Sequence, residues 1–239
     1  MVGSKVKTTH GFKLYYHKAE NKRFPETIVF VHHMWGNHKT TWRHYRLLNE
    51  WGYDCVTFDL IFGNSLKKDS FHPYIKYLPK SIYYIWEKQI DDVLEAVEGD
   101  KIVYSFSGPS VPAINSIVKR NDIKKYICDG GPFHNIYSCT RNFFSKEVGI
   151  KKPFLNIPIT FFGTLIWSGT HAVKTAHQSL KNWNKRIPIL SIRGIEDDIV
   201  PIHNIRDLFA RHPDLNVSVL ELPKGKHLDG LREFPEEYQ

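Results

Sequence analysis

The chain has 239 residues, of which 41% are hydrophobic and 14% aromatic, enough for the packed core of one α/β domain with a small insertion. It contains no long polar tract, low-complexity run or repeat period, which excludes a disordered, fibrous or solenoid protein. The formal net charge is +8, but the cations are scattered in short pieces. This scatter favours a solvated basic surface, and we expect no nucleic-acid partner.

The cysteines and the apolar runs of the sequence indicate the cellular compartment in which the protein is expected. Cys55, Cys128 and Cys139 show no metal-ligand spacing, and their odd number argues against a disulfide framework. Cys55 and Cys128 lie in apolar runs, so we expect them to be buried free thiols. Residues 1–10 hold no apolar signal core, and the longest apolar run, residues 157–167, is too short to span a bilayer. We therefore expect a cytoplasmic protein without a stable membrane span.

Hydrophobic periodicity predicts strands that alternate with helices. Predicted strands cover, in chain order, residues 5–8, 12–17, 27–32, 54–58, 101–106, 124–128, 188–192 and 217–220. Predicted helices cover residues 41–51, 81–97, 109–119, 202–211 and, at the end of the chain, 230–238. This alternation implies an α/β protein with a mostly parallel sheet and helices on both faces. Such sheets bind ligands at the carboxyl ends of their strands, so candidate functional residues should directly follow strands.

The alternation breaks between residues 132 and 187. This stretch is rich in Phe and Trp, has Pro153 and Pro158 as helix breakers, and is too long for an ordinary loop. We predict a core over residues 1–131 and 188–239, with a small helical cap or lid inserted over 132–187. The aromatic side chains either line an apolar pocket or only pack the cap onto the sheet, and both interpretations stay open.

A serine follows the predicted strand 101–106, in the segment Ser105-Phe106-Ser107-Gly108-Pro109. A sharp strand-to-helix turn at this point would expose the hydroxyl of Ser107 above the sheet edge, and it requires small neighbours. The N–H of Gly108 would be free to meet a developing oxyanion. Pro109 would lie near the first helical position, where its missing N–H costs no hydrogen bond. The alternative is that Ser107 only caps the helix.

An acidic residue follows the predicted strand 188–192. Gly194 comes first, Asp197 three residues later, and then a Val-Pro pair that opens a helix. Glu196 and Asp198 are rivals of Asp197 on chemistry alone, and acids near a helix start also stabilise the helix dipole. The spacing favours Asp197 as the functional acid.

A histidine follows the strand over 217–220. His227 lies in the loop after that strand, whereas His203 and His212 fall within a predicted helix or just after it. His227 is therefore the candidate base.

These segments resemble the motifs of the α/β-hydrolase superfamily: the nucleophile elbow G-x-S-x-G, the acid loop G-x-x-D-x-x-V-P and a histidine after the last strand, in that order. The resemblance extends over residues 27–231. It implies the α/β-hydrolase fold, with Ser107 as nucleophile, Asp197 as acid and His227 as base. The elbow departs from the pattern at Ser105 and Pro109, which replace its two glycines.

The segment His32-His33-Met34 follows the strand 27–32, where the superfamily has an HG-type pair. By that resemblance, the backbone N–H groups of Met34 and Gly108 form the oxyanion hole. His33 stands where the superfamily usually has glycine. Hydrogen bonding within the loop is the alternative for these histidines, and a metal site that adds His38 is a weaker one.

The resemblance implies a serine hydrolase that cleaves a carboxylic ester, with an apolar acyl group, through an acyl-enzyme and without metal or organic cofactor. A thioesterase or a carbon–carbon bond hydrolase would use the same three side chains. A catalytically silent ligand-binding domain is the alternative of another class. The expected partner is a small-molecule acyl ester or thioester, and the oligomeric state stays open.

Overall fold

The computed structural model describes residues 5–9, 11–63, 73–169 and 172–238. Within these ranges eight strands form one sheet, in the order β1-β2-β4-β3-β5-β6-β7-β8. The strands are β1 (Lys5–Thr9), β2 (Phe12–His17), β3 (Thr27–Val31), β4 (Asp54–Phe58), β5 (Lys101–Phe106), β6 (Ile123–Asp129), β7 (Ile189–Gly194) and β8 (Val217–Leu222). β1, β2 and β4 pair antiparallel, and every other neighbouring pair is parallel. The predicted fold class, an α/β protein with a mostly parallel sheet, is confirmed.

The helices of the described residues are α1 (Trp42–Trp51), α2 (Ile82–Ala96), α3 (Ser110–Ile117), α4 (Ile136–Lys146), α5 (Pro153–Ser168), α6 (Ala172–Lys181), α7 (Ile202–Ala210) and α8 (Gly230–Glu233). A short 3-10 helix covers Pro73–Tyr77. None of these helices is long and apolar enough to cross a membrane.

Helices cover both faces of the sheet because successive side chains of a strand point to opposite faces. Val29 and Val31 of the central strand β3 pack in the core layer that α2, α3 and α7 contribute to. Ile28 and Phe30 pack in the other layer, with Leu48 of α1. The continuous apolar sequence of β3 is the consequence of burial on both faces.

The last helix is shorter than predicted. The sequence predicts a helix over residues 230–238, whereas α8 ends at Glu233. Pro235 disfavours helical backbone in the residue before it. The chain then turns back to the sheet, where the Tyr238 hydroxyl donates a hydrogen bond to Asp129 over 2.8 Å.

The stretch 132–187 contains α4, α5 and α6. The sequence indicates Pro153 and Pro158 as helix breakers, but Pro153 begins α5 and Pro158 lies inside it, so the expectation is wrong for Pro158. Proline is tolerated in the first turn of a helix, and within the helix it removes one backbone hydrogen bond without ending α5. Helix α4 packs on α5, whereas α6 packs on α3, which covers the sheet. The division into a core and a cap over 132–187 stays a prediction.

Candidate active site

Ser107 lies between the end of β5 and the start of α3. Its φ of 54° is in the left-handed region that residues with side chains rarely adopt. Two backbone hydrogen bonds hold this conformation: the Ser107 N–H donates to Asp129 O over 2.9 Å, and the Ser110 N–H donates to Ser107 O over 3.0 Å. The strained turn is the geometry expected of an exposed nucleophile.

The neighbours of Ser107 are small because the turn is crowded. A Cβ at Gly108 would lie 2.7 Å from the Tyr83 hydroxyl, and one at Gly131 would lie 2.5 Å from Ser107 O. The Ser105 hydroxyl, fully buried, lies 2.9 Å from the Ser110 hydroxyl and 2.7 Å from the Tyr126 hydroxyl. A buried hydroxyl is tolerated when it is hydrogen-bonded, which explains why serine can replace the first glycine of the elbow.

The three side chains predicted to be catalytic lie together. Ser107 Oγ is 3.0 Å from His227 Nε2, and His227 Nδ1 is 2.7 Å from Asp197 Oδ2. Because an ionised carboxylate only accepts hydrogen bonds, Nδ1 carries the hydrogen of the neutral imidazole. Nε2 is then free to accept the Ser107 hydroxyl hydrogen.

The acid is oriented by its own loop. Asp197 is buried, and its Oδ1 accepts the backbone N–H groups of Ile199, over 3.0 Å, and Val200, over 2.8 Å. These two backbone donors fix the orientation of the carboxylate and leave Oδ2 for His227.

The alternative candidates for the acid and the base are exposed or contact other residues. Glu196 and Asp198 are exposed, and Asp198 pairs with Lys146 at 3.1 Å. His203 is exposed on α7, and His212 contacts another histidine, His177. Position relative to the strands therefore selects the same acid and base as the geometry does.

Gly194 allows the loop that carries Asp197 to lie close to the loop that carries His227. The end of β7 and the segment after β8 touch through backbone atoms: a Cβ at Gly194 would lie 2.7 Å from the carbonyl carbon of Gly225. The Glu196 N–H donates to the same carbonyl over 3.0 Å. This close approach is the physical reason for a glycine three residues before the acid.

Gly194→Ala is expected to destabilise the fold by about 3 kcal/mol, because backbone on the facing loop must move to accept the methyl group. Urea unfolding gives the free energy. Gly99→Ala serves as control, since a Cβ there meets nothing within 4 Å and only the φ of 74° opposes it, at a cost of about 1 kcal/mol. Equal losses for the two variants would contradict the steric account.

The loop after β3 carries the predicted oxyanion donors. Met34 and Gly108 line the same cavity as Ser107 and His227. Within the described ranges, neither the Met34 N–H nor the Gly108 N–H donates to a protein acceptor. Two unused N–H groups beside the nucleophile suit an oxyanion hole, and their role stays a prediction.

His32 and His38 form hydrogen bonds with other residues of the protein. The Nδ1–H of His32 donates to His33 O over 2.7 Å, and its Nε2 accepts the Leu60 N–H over 2.9 Å. Burial lowers the pKa of His32 to about 4, so the imidazole is neutral near neutral pH. Its two hydrogen bonds hold the loop after β3 in place. His38 lies 2.9 Å from Asp59. Across the residues that the structure describes, no group of three or more His, Cys, Asp and Glu side chains could hold a metal ion.

His33, which departs from the superfamily pattern, lines the cavity. Burial is the largest cause that lowers the pKa of His33 to about 4, and the neighbouring imidazoles of His32 and His227 act in the same direction. A neutral imidazole therefore stands beside the cavity near neutral pH.

A cavity of about 370 Å³ opens above Ser107 and His227, and its lining includes several aromatic side chains together with Glu147. Trp86 from α2, Phe143 from α4 and Trp167 from α5 line it. Phe143 and Trp167 touch each other, with ring centroids 5.6 Å apart. Phe133 of the insertion lines the cavity as well, whereas Phe154 and Phe162 do not, so the stretch 132–187 contributes both to the cavity wall and to other surfaces.

Asp129, at the end of β6, is a site residue that the sequence reasoning missed. Its carboxylate is buried, accepts the Tyr238 hydroxyl and lies 3.9 Å from the His44 imidazole. Burial raises the pKa of Asp129 to about 6. Its position directly after a strand was the available signal, but no motif distinguishes it.

Asp129→Asn is expected to stabilise the protein by about 3 kcal/mol at pH 8 and to have little effect at pH 4. A pKa raised from 3.8 to about 6 in the folded state means that stability is lost as the pH rises through 6, because the charge is buried. Urea unfolding at both pH values checks this. Asp214→Asn, at an exposed position, should change stability little at either pH, and a pH-independent effect at Asp129 would contradict the expectation.

The cysteines agree with the expectation from sequence. Cys55, Cys128 and Cys139 are free and buried, which confirms the prediction for Cys55 and Cys128. Burial raises the pKa of Cys128 to about 12, so this thiol is not a nucleophile near neutral pH.

No protein-family model matches this sequence, and no curated protein sequence is significantly similar to it. Solved structures are similar. The esterase Pf2001 of Pyrococcus furiosus matches with a TM-score of 0.64 and 16% identity, over 98% of this chain and 85% of that one. The Exiguobacterium antarcticum esterase matches with a TM-score of 0.63 and 14% identity, over 98% and 96%.

The alpha/beta hydrolase domain-containing protein 10 from mouse matches with a TM-score of 0.62 and 14% identity, over 99% of this chain and 94% of that one. Identities this low are evidence of a shared fold and leave the reaction open. With its eight-stranded, mostly parallel sheet and these matches along nearly its whole length, the chain has the fold of the α/β-hydrolase superfamily.

Proposed function

We propose that the protein is a serine hydrolase that cleaves a carboxylic ester with an apolar acyl group. One observation carries the proposal: the hydrogen-bonded series Ser107 Oγ–His227 Nε2 and His227 Nδ1–Asp197 Oδ2, at 3.0 and 2.7 Å, lies at a cavity large enough for a small molecule. Two of the similar structures are esterases by name, which supports the proposal.

The proposed acylation uses this series of hydrogen bonds. Ser107 Oγ attacks the carbonyl carbon while His227 Nε2 takes its proton, and Asp197 stabilises the imidazolium that forms. The carbonyl oxygen becomes an oxyanion between the N–H groups of Met34 and Gly108. The intermediate collapses to an acyl-enzyme as His227 returns the proton to the departing alcohol.

Deacylation repeats these steps with water. His227 removes a proton from the water that attacks the acyl carbon, and the proton then goes to Ser107 Oγ as the carboxylic acid leaves. The released products are an alcohol and a carboxylic acid. No step requires a metal or an organic cofactor.

The aromatic walls support an apolar acyl group. A volume of about 370 Å³ is near the lower end of small-molecule sites, which favours a short or medium acyl chain. Each extra methylene that enters the cavity strengthens binding, and each one that exceeds it adds nothing.

A fluorophosphonate probe tests the proposal directly, because it reacts with activated serines. We expect stoichiometric labelling, with the modified residue located at Ser107 by mass spectrometry. The exposed Ser218 is the internal control and should stay unmodified. Absence of labelling at Ser107 would contradict the proposal and favour a silent binding domain.

Acyl preference is measured with p-nitrophenyl esters from acetate to laurate. We expect kcat/KM to rise with chain length and then to level off, and a profile that is flat from acetate onwards would remove the apolar pocket from the proposal. Thioesters with the preferred acyl group form the second arm. A higher kcat/KM for thioesters would assign the protein to that class of hydrolase.

A further inference from the structure

Helix α5 turns its polar side towards the protein. Asn156, Thr160, Gly163 and Trp167, spaced by four and three residues, lie on one side of the helix. Asn156 is buried and donates to Ile150 O over 2.8 Å; buried Thr160 donates to Asn156 Oδ1 over 3.2 Å. A Cβ at Gly163 would lie 2.7 Å from the neighbouring helix. The inner side of α5 is thus small and polar apart from Trp167.

The outer side of α5 is apolar and exposed. Eight large hydrophobic side chains are 36% to 71% exposed: Phe154, Leu155, Ile157, Ile159, Phe161, Phe162, Leu165 and Ile166. No charged residue occurs among the sixteen residues of the helix. A surface helix of a globular protein normally has the opposite arrangement, and a contiguous apolar patch of this kind indicates an interaction surface.

The insertion that carries this patch is rich in positive charge, and two lysines directly precede α5. Residues 132–187 contain eight Lys and Arg residues but one acid, Glu147, in a chain whose net charge is +8. Lys151 and Lys152 are exposed directly before α5. Neither lysine forms an ion pair within the described part of the chain. The occupant of the patch should therefore combine an apolar interior with negative charge at its rim.

We propose that α5 docks on an anionic lipid surface. The apolar side of the helix would enter the boundary between head groups and acyl chains, while Lys151 and Lys152 contact anionic head groups. A second copy of the chain fits less well, because a two-fold contact through α5 brings the same positive rims together. Trp167 of α5 also lines the cavity, so docking would place the cavity beside the lipid.

Vesicle flotation of the full chain tests the docking. Two kinds of vesicle are compared: phosphatidylcholine alone, and phosphatidylcholine that contains about 30% phosphatidylglycerol. We expect the wild type to bind the anionic vesicles. The double variant Phe161→Asn, Phe162→Asn should bind them at least tenfold more weakly. The control variant Val6→Asn, Val219→Asn changes side chains that are 49% and 48% exposed elsewhere, and it should bind like the wild type.

The second part of the vesicle test removes the positive charges that directly precede α5. Lys151→Gln with Lys152→Gln should weaken binding to anionic vesicles roughly 30-fold, from about 1 kcal/mol per lysine. Lys7→Gln with Lys13→Gln, at exposed positions of β1 and β2, is the control and should have a much smaller effect. Thermal melting of every variant verifies that it is folded.

Three results would overturn the proposal. The first is failure of the wild type to bind anionic vesicles, and the second is binding that the Phe161 and Phe162 changes leave intact. The third is a mass near twice 28.0 kDa in light scattering that these changes reduce to the monomer, since α5 would then contact a second copy. Because the readout is binding, the result is independent of the proposed hydrolase activity.

Discussion

Ser107→Ala is expected to lower kcat towards p-nitrophenyl butyrate by about a millionfold, which is the loss known for removal of a serine nucleophile that acts together with its base. The reason is geometric: Ser107 Oγ is the hydroxyl within hydrogen-bond distance of His227 Nε2, and alanine leaves no atom to form the acyl-enzyme. Residual catalysis of about a thousandfold over water should remain from the oxyanion donors and substrate binding. Steady-state and burst kinetics measure the change.

Stability should change little in this variant. The strained φ of 54° and the backbone hydrogen bonds of residue 107 do not depend on the hydroxyl. The control is Ser218→Ala, which changes an exposed serine on β8 and should keep the wild-type rate. A loss below tenfold in a folded Ser107→Ala protein would remove Ser107 as nucleophile.

Asp197→Asn is expected to lower kcat by about ten thousandfold while leaving the fold intact. The amide oxygen can still accept the N–H groups of Ile199 and Val200. The amide NH₂ then faces His227 Nδ1, now 2.7 Å from the carboxylate, and donates to it. The imidazole hydrogen moves to Nε2, which can no longer accept the Ser107 proton.

The adjacent acid provides a matched control. Asp198→Asn makes the same chemical change one residue later, at an exposed carboxylate that pairs with Lys146 over 3.1 Å. Exposed ion pairs contribute little, so we expect kcat within about twofold of the wild type. Comparable losses at positions 197 and 198 would show that the loop, rather than one carboxylate, controls the rate.

The sequence alone predicted the sheet well. The predicted bounds of β2, β4 and β5 agree with the structure, because buried strands form short apolar runs that turn residues interrupt. Helix ends were less accurate: residues 109–119 were predicted for α3, which covers Ser110–Ile117. Helical periodicity fixes which residues share a side, whereas the end depends on local caps and tertiary contacts.

The sequence also selected Ser107, Asp197 and His227, since the carboxyl ends of parallel strands meet at one edge. Only the tertiary structure decided what these positions contact, because sheet pairing and loop packing set the 3.0 Å between side chains 120 residues apart. The burial of Asp129 was decided in the same way. So was the outward direction of the apolar side of α5, because periodicity defines the sides of a helix but not what each side meets.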